Sequence, residues 1–259
     1  MDQGLPRLLR AYIALAAIVG GALLGYLVSG VAWHQATLGE AALFFALVVV
    51  AGSFPLPVAN KVKTDVTTAV LFGAALVLEP GVAALVGALG IVAYTFFRLH
   101  LPWYKYPFNA GVTAIYVGVV SFVFHLLATD DSLLTVAVVP VAVIMYVANT
   151  TLVTGAAALQ TGENPLRFWW MGTKENGPAE LGLLAFGFLG AVVYRESPWT
   201  IVALFIPVAI IYLAFSRLAR TNAELEEAMR QLKALQGRIA TDAKLASVGA
   251  LYLDMANQI

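Results

Sequence analysis

Near the end of the chain, Asn257 occupies a position on a predicted helix where an exposed side chain could act as a nucleophile. The apolar residues around it recur at steps of three and four, which predicts a helix packed against another helix: Leu245, Val248, Tyr252, Met255 and Ile259. Asn257 projects away from this apolar face. A carboxamide has no basic nitrogen lone pair and cannot act as a nucleophile at neutral pH. The position therefore suits a reactive group that this residue does not supply.

The run from 244 to 259, KLASVGALYLDMANQI, resembles the start of the dimerisation and phosphotransfer helix of bacterial sensor histidine kinases. That family normally has a His-Glu pair where this chain has Asn257-Gln258. The resemblance implies that the His would attack the γ-phosphate of ATP and pass the phosphoryl group to a response regulator. With Asn257 there, we expect no phosphotransfer and an inactive chain. We also expect this sequence to end within the signalling helix, before the ATP-binding domain. ATP, Mg and the response regulator would then bind only to a full-length kinase.

The rest of the sequence has no recognisable enzyme site. It has no glycine-rich phosphate loop and no paired carboxylates within an apolar run, and His34, His100 and His125 are too scattered for metal binding. The absence of cysteine excludes disulfides and thiolate metal sites. We therefore expect no cofactor, no metal and no nucleic-acid partner.

Polar and aromatic residues at two places are the candidates for ligand binding: Trp103, Tyr104, Asn109, Asn149 and Thr150. The first three belong to an aromatic, basic stretch that is similar to one in bacterial multi-span sensors, and that is also typical of a membrane-interface belt. The last two lie within an apolar run, where polar groups must find partners. Those partners are either a ligand or a neighbouring helix, and the sequence leaves both alternatives open.

The composition predicts an all-α, polytopic transmembrane bundle. Of the 259 residues 61% are hydrophobic and 12% charged, whereas about a quarter of a soluble protein is charged. Uncharged runs of membrane-spanning length recur. We predict about eight spans, near residues 11–33, 40–53, 67–78, 82–97, 109–128, 133–159, 178–194 and 198–215. Residues 162–177 are predicted to be a connection.

Two local features modify this pattern. Glu79-Pro80-Gly81 breaks an apolar stretch, so residues 64–97 form either two short spans or a re-entrant hairpin. Ala17, Gly21, Gly25 and Ser29 recur at every fourth position of the first span, where another helix can approach closely.

The distribution of Lys and Arg predicts the orientation. With a cytoplasmic N-terminus and eight crossings, Arg195 is the one Lys or Arg residue that lies outside. Both termini are then cytoplasmic, in a multi-pass protein of the bacterial inner membrane.

After the last span, leucines repeat every seven residues, which predicts a parallel coiled coil in a homodimer. The predicted dimerisation residues are Leu218, Leu225, Leu232, Leu235 and Ile239, continued by Leu245, Val248, Tyr252 and Met255. The predicted domains are a transmembrane sensor domain (1–216), a signalling coiled coil (217–243) and the incomplete phosphotransfer helix (244–259). The leading interpretation is a sensor module of a two-component histidine kinase. The alternative is a small-solute or vitamin-binding membrane transport subunit.

Overall fold

The computed structural model describes residues 5–53, 56–59, 62–64, 66–128 and 136–198. It also describes part of the C-terminal region, namely Leu213, Arg217, Thr221, Glu224, Leu225, residues 227–233, Leu235 and Gln236. The chain divides into two compact units, residues 1–209 and 210–259. The predicted eighth span, near 198–215, and residues 237–259 with Asn257 lie outside the described residues, apart from isolated positions of that span.

The described residues of the first unit form seven α-helices and one short hairpin. The helices are α1 (Arg7–Ser29), α2 (Gln35–Ser53), α3 (Thr67–Val77), α4 (Pro80–Tyr94), α5 (Lys105–Leu127), α6 (Val138–Thr161) and α7 (Pro165–Glu196). Strands β1 (Leu56–Ala59) and β2 (Val62–Thr64) pair antiparallel between α2 and α3. Each of the first seven predicted spans therefore overlaps one helix, and the first unit is helical as expected.

Five of the described helical segments are long and apolar enough to cross a membrane: Arg7–Ser29, Pro80–Leu99, Lys105–Leu127, Val138–Thr161 and Asn176–Glu196. The second of these is α4 together with a π-helical turn, Thr95–Leu99. The apolar helices at Thr37–Ser53 and Thr67–Val77 are shorter. At 11 residues, α3 is about 16 Å long, roughly half of a 30 Å hydrocarbon layer.

The centre of the bundle is formed by α4 and α5. Of their membrane-capable segments 56% is buried, against 11% for α1 and α6. Side chains such as Phe72, Val117 and Phe124 are almost completely buried in one continuous core. The helices α1 and α2 pack on this pair, and α7 packs mainly on α3 and α6. The outer faces of α1 and α6 are therefore those available to lipid.

Contacts between helix ends show that successive helices run in opposite directions. At one end of the bundle, Leu27 of α1 lies against Gly81 of α4, and Ser121 of α5 donates to the carbonyl of Leu78. Arg195 of α7 donates to the carbonyl of Leu76 at this same end. We call it the Glu79 end, and the opposite one the Arg98 end.

The stretch between 64 and 97 is a helical hairpin. Leu71 of α3 contacts Gly87 of α4, so the two helices run antiparallel on either side of Leu78 and Glu79. Pro80 is the first residue of α4, where its missing N–H costs no hydrogen bond. The hairpin consists of one short helix and one of membrane-spanning length.

The connection predicted at 162–177 is wrong, because α7 begins at Pro165 rather than at Pro178. Gly162 has a φ of 73°, which favours glycine, and its N–H caps α6 by donating to the carbonyl of Ala158. Asn164 then caps α7, its Oδ1 accepting from the N–H groups of Leu166 and Arg167. The helix continues through Pro178 without ending. Only three residues therefore separate α6 from α7.

The helices α1 and α5 meet at backbone distance. A Cβ built on Gly20 would overlap the backbone of Gly111, and one built on Gly111 would overlap the backbone of Ala16. By contrast, a Cβ on Gly21 or Gly25 would meet nothing within 4 Å. Of the predicted small residues, Ala17 lies at this contact, with its Cα 2.9 Å from a Cβ built on Gly111, whereas Gly21 and Gly25 do not and Gly20 takes part instead.

In the second unit the described positions are helical, and their side chains are exposed. Leu225 and Leu232 are each 59% exposed, Met229 is 51% and Leu235 is 53% exposed. Gln231 donates to the Glu227 carboxylate on the same helix, at 3.4 Å.

Candidate functional site

The aromatic candidates lie at the Arg98 end, where α5 begins. Trp103 and Tyr104 immediately precede α5, with ring centroids 6.4 Å apart. The Trp103 side chain is 80% exposed. Asn109 follows within the second turn of α5 and is half-buried. These three residues lie at the Arg98 end of the bundle, at the start of α5. Their role in binding a ligand stays a prediction.

The structure places Asn149 and Thr150 on different faces of α6. Neighbouring residues of a helix point about 100° apart. Leu152 and Gly155 meet Tyr12 of α1, whose hydroxyl donates to the Leu152 carbonyl at 2.9 Å, and Asn149 lies about 60° around the helix from Leu152. Thr150 shares a face with Tyr146 and Thr154, which meets α7. The two polar residues are adjacent in sequence but do not line one surface.

The face of α6 that carries Thr150 forms a polar contact with α7, which we call the α6–α7 seam. It comprises Tyr146, Thr150 and Thr154 on one face of α6 and the turns of α7 around Gly172 and Gly177, which contain Trp169 and Thr173. A Cβ on Gly177 would lie 3.1 Å from the Tyr146 hydroxyl, and one on Gly172 would lie 3.6 Å from the Thr154 methyl group. Two glycines of α7 therefore make room for polar side chains of α6.

Two polar atoms of the α6–α7 seam are unsatisfied. The Trp169 Nε1 and Thr173 Oγ1 atoms are buried and have no hydrogen-bond partner among the residues that the structure describes. The Thr154 hydroxyl, by contrast, donates to the Thr150 carbonyl at 2.6 Å. An unpaired buried donor costs about 1–3 kcal/mol. The seam is thus a place where a polar molecule or a helix movement would supply a missing partner.

Sequence reasoning missed Trp169 and Thr173, since the segment 162–177 looked like an interfacial connection. A signal was present: the two residues are four apart, so they share one helix face once Asn164-Pro165 is recognised as a helix start.

At the Glu79 end, the last turn of α7 is tied to two other helices. The Tyr194 hydroxyl is hydrogen-bonded to the Glu40 carboxylate of α2, and its ring packs edge-on against Phe44 at 5.2 Å. The next residue, Arg195, reaches the Leu76 carbonyl of α3 at 3.5 Å. We call Tyr194 and Arg195 the α7 clamp. The end of α7 is therefore bonded to both α2 and α3 at this end of the bundle.

The break between α3 and α4 is held by a buried serine. The Ser121 hydroxyl of α5 donates to the Leu78 carbonyl at 3.1 Å, and His125 Nδ1 lies 2.8 Å from the Ser121 carbonyl. Two carbonyls at the end of α3, those of Leu76 and Leu78, are therefore taken up by side chains of α7 and α5.

A cleft of 310 Å³ opens beside this break. It is lined by the end of α1 and the start of α4, through Tyr26, Leu27, Ser29, Gly30, Val31, Glu79, Pro80 and Gly81. Within the described part of the chain, no three His, Cys, Asp or Glu residues are grouped so as to hold a metal ion.

The comparison with known families decides what this bundle is. A family model, MASE9, matches residues 35–220, which include α2 to α7 completely. The chain belongs to the MASE9 family. MASE9 is a membrane-associated sensory domain, and the apolar helices make this a multi-pass membrane protein in a lipid bilayer. No curated protein and no solved structure matches the chain.

Proposed function

We propose that the MASE9 bundle is the input module of a two-component sensor histidine kinase, which relays a stimulus through a dimeric helix. The MASE9 match carries this proposal, because it makes the bundle sensory and ends at residue 220, beside the helix with exposed leucines. The kinase assignment rests on the likeness of residues 244–259 to a phosphotransfer helix.

The helix after the bundle is the proposed dimerisation element. Leu225 and Leu232 are seven residues apart, Met229 lies between them, and all three are exposed. An exposed apolar stripe on a helix in water is stabilised by packing against a second copy. The other members of the proposed interface are Leu218, Leu235 and Ile239, followed by Leu245, Val248, Tyr252 and Met255.

Asn257 takes the phosphoacceptor position in this proposal, so the chain transfers no phosphoryl group itself. Output then needs a kinase core with ATP and Mg, and a response regulator receives the signal only through that core. The proposed topology has eight spans, with both termini on the cytoplasmic side of a bacterial inner membrane.

The signal passes through α7. This helix contacts α2 and α3 through the α7 clamp, contacts α6 through the seam, and directly precedes the proposed eighth span. A stimulus must bind two arrangements of the bundle with different affinities, since equal affinity shifts no population. The unsatisfied Trp169 and Thr173 atoms favour such a second arrangement, in which they gain partners.

A fusion of residues 1–243 to an active kinase core tests this function. Tyr194→Phe removes the hydroxyl that binds Glu40 but keeps the ring, and we expect it to change autophosphorylation in vesicles by roughly fivefold or more. Glu196→Gln, at the same end of α7 but outside the clamp, should leave phosphorylation unchanged.

Cross-linking provides the second arm of the test. The chain has no cysteine, so Leu225→Cys gives a single reporter, which should form a disulfide between two copies. Unchanged phosphorylation in Tyr194→Phe and no cross-link at Leu225→Cys would rule out the relay. Uptake of a solute into proteoliposomes would instead support the transport subunit.

A further inference from the structure

The cleft between α1 and α4 contains a carboxylate without a partner. Glu79 is exposed, and its side chain makes neither a hydrogen bond nor an ion pair with any residue that the structure describes. It immediately precedes α4, yet its side chain does not cap that helix. Its charge is therefore free to meet a ligand in the cleft.

The other polar features of the cleft also favour a cation. Tyr26 lines the cleft and is 74% exposed, so its ring face is available for a cation–π contact. The C-terminal end of α1, the negative end of its dipole, forms the same wall. The Ser29 hydroxyl donates to the Tyr26 carbonyl at 2.7 Å, which leaves its lone pairs to accept from a ligand.

The remaining lining is apolar, which favours an organic cation over a metal ion. Leu27, Val31 and Pro80 supply hydrocarbon surface, whereas a metal ion needs several oxygen ligands. The 310 Å³ volume lies at the lower limit of small-molecule sites.

We infer that this cleft binds an organic ammonium group, with Glu79 as counter-ion and the Tyr26 ring against the cation. The group belongs either to a free solute or to the headgroup of a phospholipid, since the cleft lies at an end of a membrane bundle. A role of this ligand as a stimulus rests on the proposed sensory function. Binding of the ligand to the cleft does not depend on that function.

The alternative role of Glu79 is to stabilise α4 through the helix dipole. An acidic residue before a helix contributes about 0.3–1 kcal/mol in this way. That role gives Glu79→Gln a small effect on stability and predicts no ligand, so the two roles have separate readouts.

The experiment measures choline binding to the full chain in phosphatidylglycerol nanodiscs by calorimetry. Its neutral isostere, 3,3-dimethylbutan-1-ol, has the same shape without the charge. We expect choline to bind and the alcohol not to bind. Glu79→Gln should weaken choline binding at least tenfold and Tyr26→Leu about fivefold. The matched control is Glu196→Gln, an exposed carboxylate at the same end outside the cleft, which should bind choline as the wild type does.

Replacing part of the lipid with phosphatidylethanolamine distinguishes the two sources. If the headgroup is the ligand, choline affinity falls as the fraction of phosphatidylethanolamine increases. In native mass spectrometry the wild type then retains more phosphatidylethanolamine than Glu79→Gln does. If a free solute is the ligand, choline affinity is independent of the lipid. Equal binding of choline and the alcohol, or by the wild type and Glu79→Gln, overturns the inference. So does failure of both choline binding and lipid retention. The sensory function would survive each of these results, because no signalling is measured.

Discussion

Single hydroxyl groups differ sharply in what they contribute to this bundle. Ser121 and Thr154 donate to backbone carbonyls, whereas Thr173 is buried without a described partner. In hydrocarbon surroundings an unpaired polar group is costly. Hydroxyls that stabilise the fold by a hydrogen bond can therefore be distinguished from a buried hydroxyl that has no described partner.

Replacing Thr173 by the isosteric valine should stabilise the protein. The substitution removes an unsatisfied buried hydroxyl at constant shape, so we expect a gain of about 1 kcal/mol. Thermal unfolding in detergent would measure it. Thr154→Val, which removes a paired hydroxyl from the same seam, is the control and should give no gain. A loss of stability in Thr173→Val would show that its hydroxyl has a bound partner.

The candidate residues illustrate what a sequence reveals about a site. The polar character of Asn149 and Thr150 was evident, but their neighbours were not, because these depend on how α6 is rotated against α1 and α7. The proximity of Tyr26 to Glu79 was likewise unpredictable. These residues are far apart in sequence and meet only because α1 and α4 pack together.

At the scale of helices, the sequence was most reliable where length and hydropathy agree. The break at Glu79-Pro80 and the helices overlapping the first seven predicted spans follow from such signals. The start of α7 was misplaced because hydropathy falls between 165 and 175. A fall in hydropathy shows where a helix leaves the hydrocarbon layer and not where it ends; at 32 residues α7 is about 48 Å long.

The bond between α2 and α7 should be measurable as a coupling energy. In a double-mutant cycle of Glu40→Ala and Tyr194→Phe, we expect a coupling of about 0.5–1.5 kcal/mol in unfolding free energy. The control pair is Glu196→Ala with Tyr194→Phe. Additive effects in the first pair would mean that the hydroxyl and the carboxylate do not interact.

The helix pair α1 and α5 gives a second prediction at this scale. Gly20→Ala forces the backbones apart, and we expect a loss of about 1–3 kcal/mol despite the better helix propensity of alanine. Gly21→Ala, on the open face one residue along, should change stability by less than about 0.5 kcal/mol. Thermal unfolding of the two variants in detergent compares them directly, and equal melting temperatures would contradict the contact.

At the scale of the whole molecule, the orientation of the bundle in the membrane is a prediction from the charge distribution. Ser29 at the end of α1 and Thr161 at the end of α6 belong to opposite ends of the bundle. Because the chain has no cysteine, Ser29→Cys and Thr161→Cys each introduce one thiol. In intact cells an impermeant thiol reagent should label Ser29→Cys alone, and permeabilised cells should label both. The reverse pattern would invert the orientation that the positive charges predict.

The contact of Gly20 with Gly111 has a consequence for the limits of the domain. The MASE9 match begins at residue 35, after α1 has ended. Yet α1 touches the backbone of a central helix and supplies one wall of the cleft. A protein shortened to residues 35–220 would lack α1, and the surface of α5 around Gly111, which the α1 backbone contacts, would be exposed. The compact unit therefore begins before the matched region, and we expect an input module that starts before Arg7 to be more stable than one that starts at residue 35.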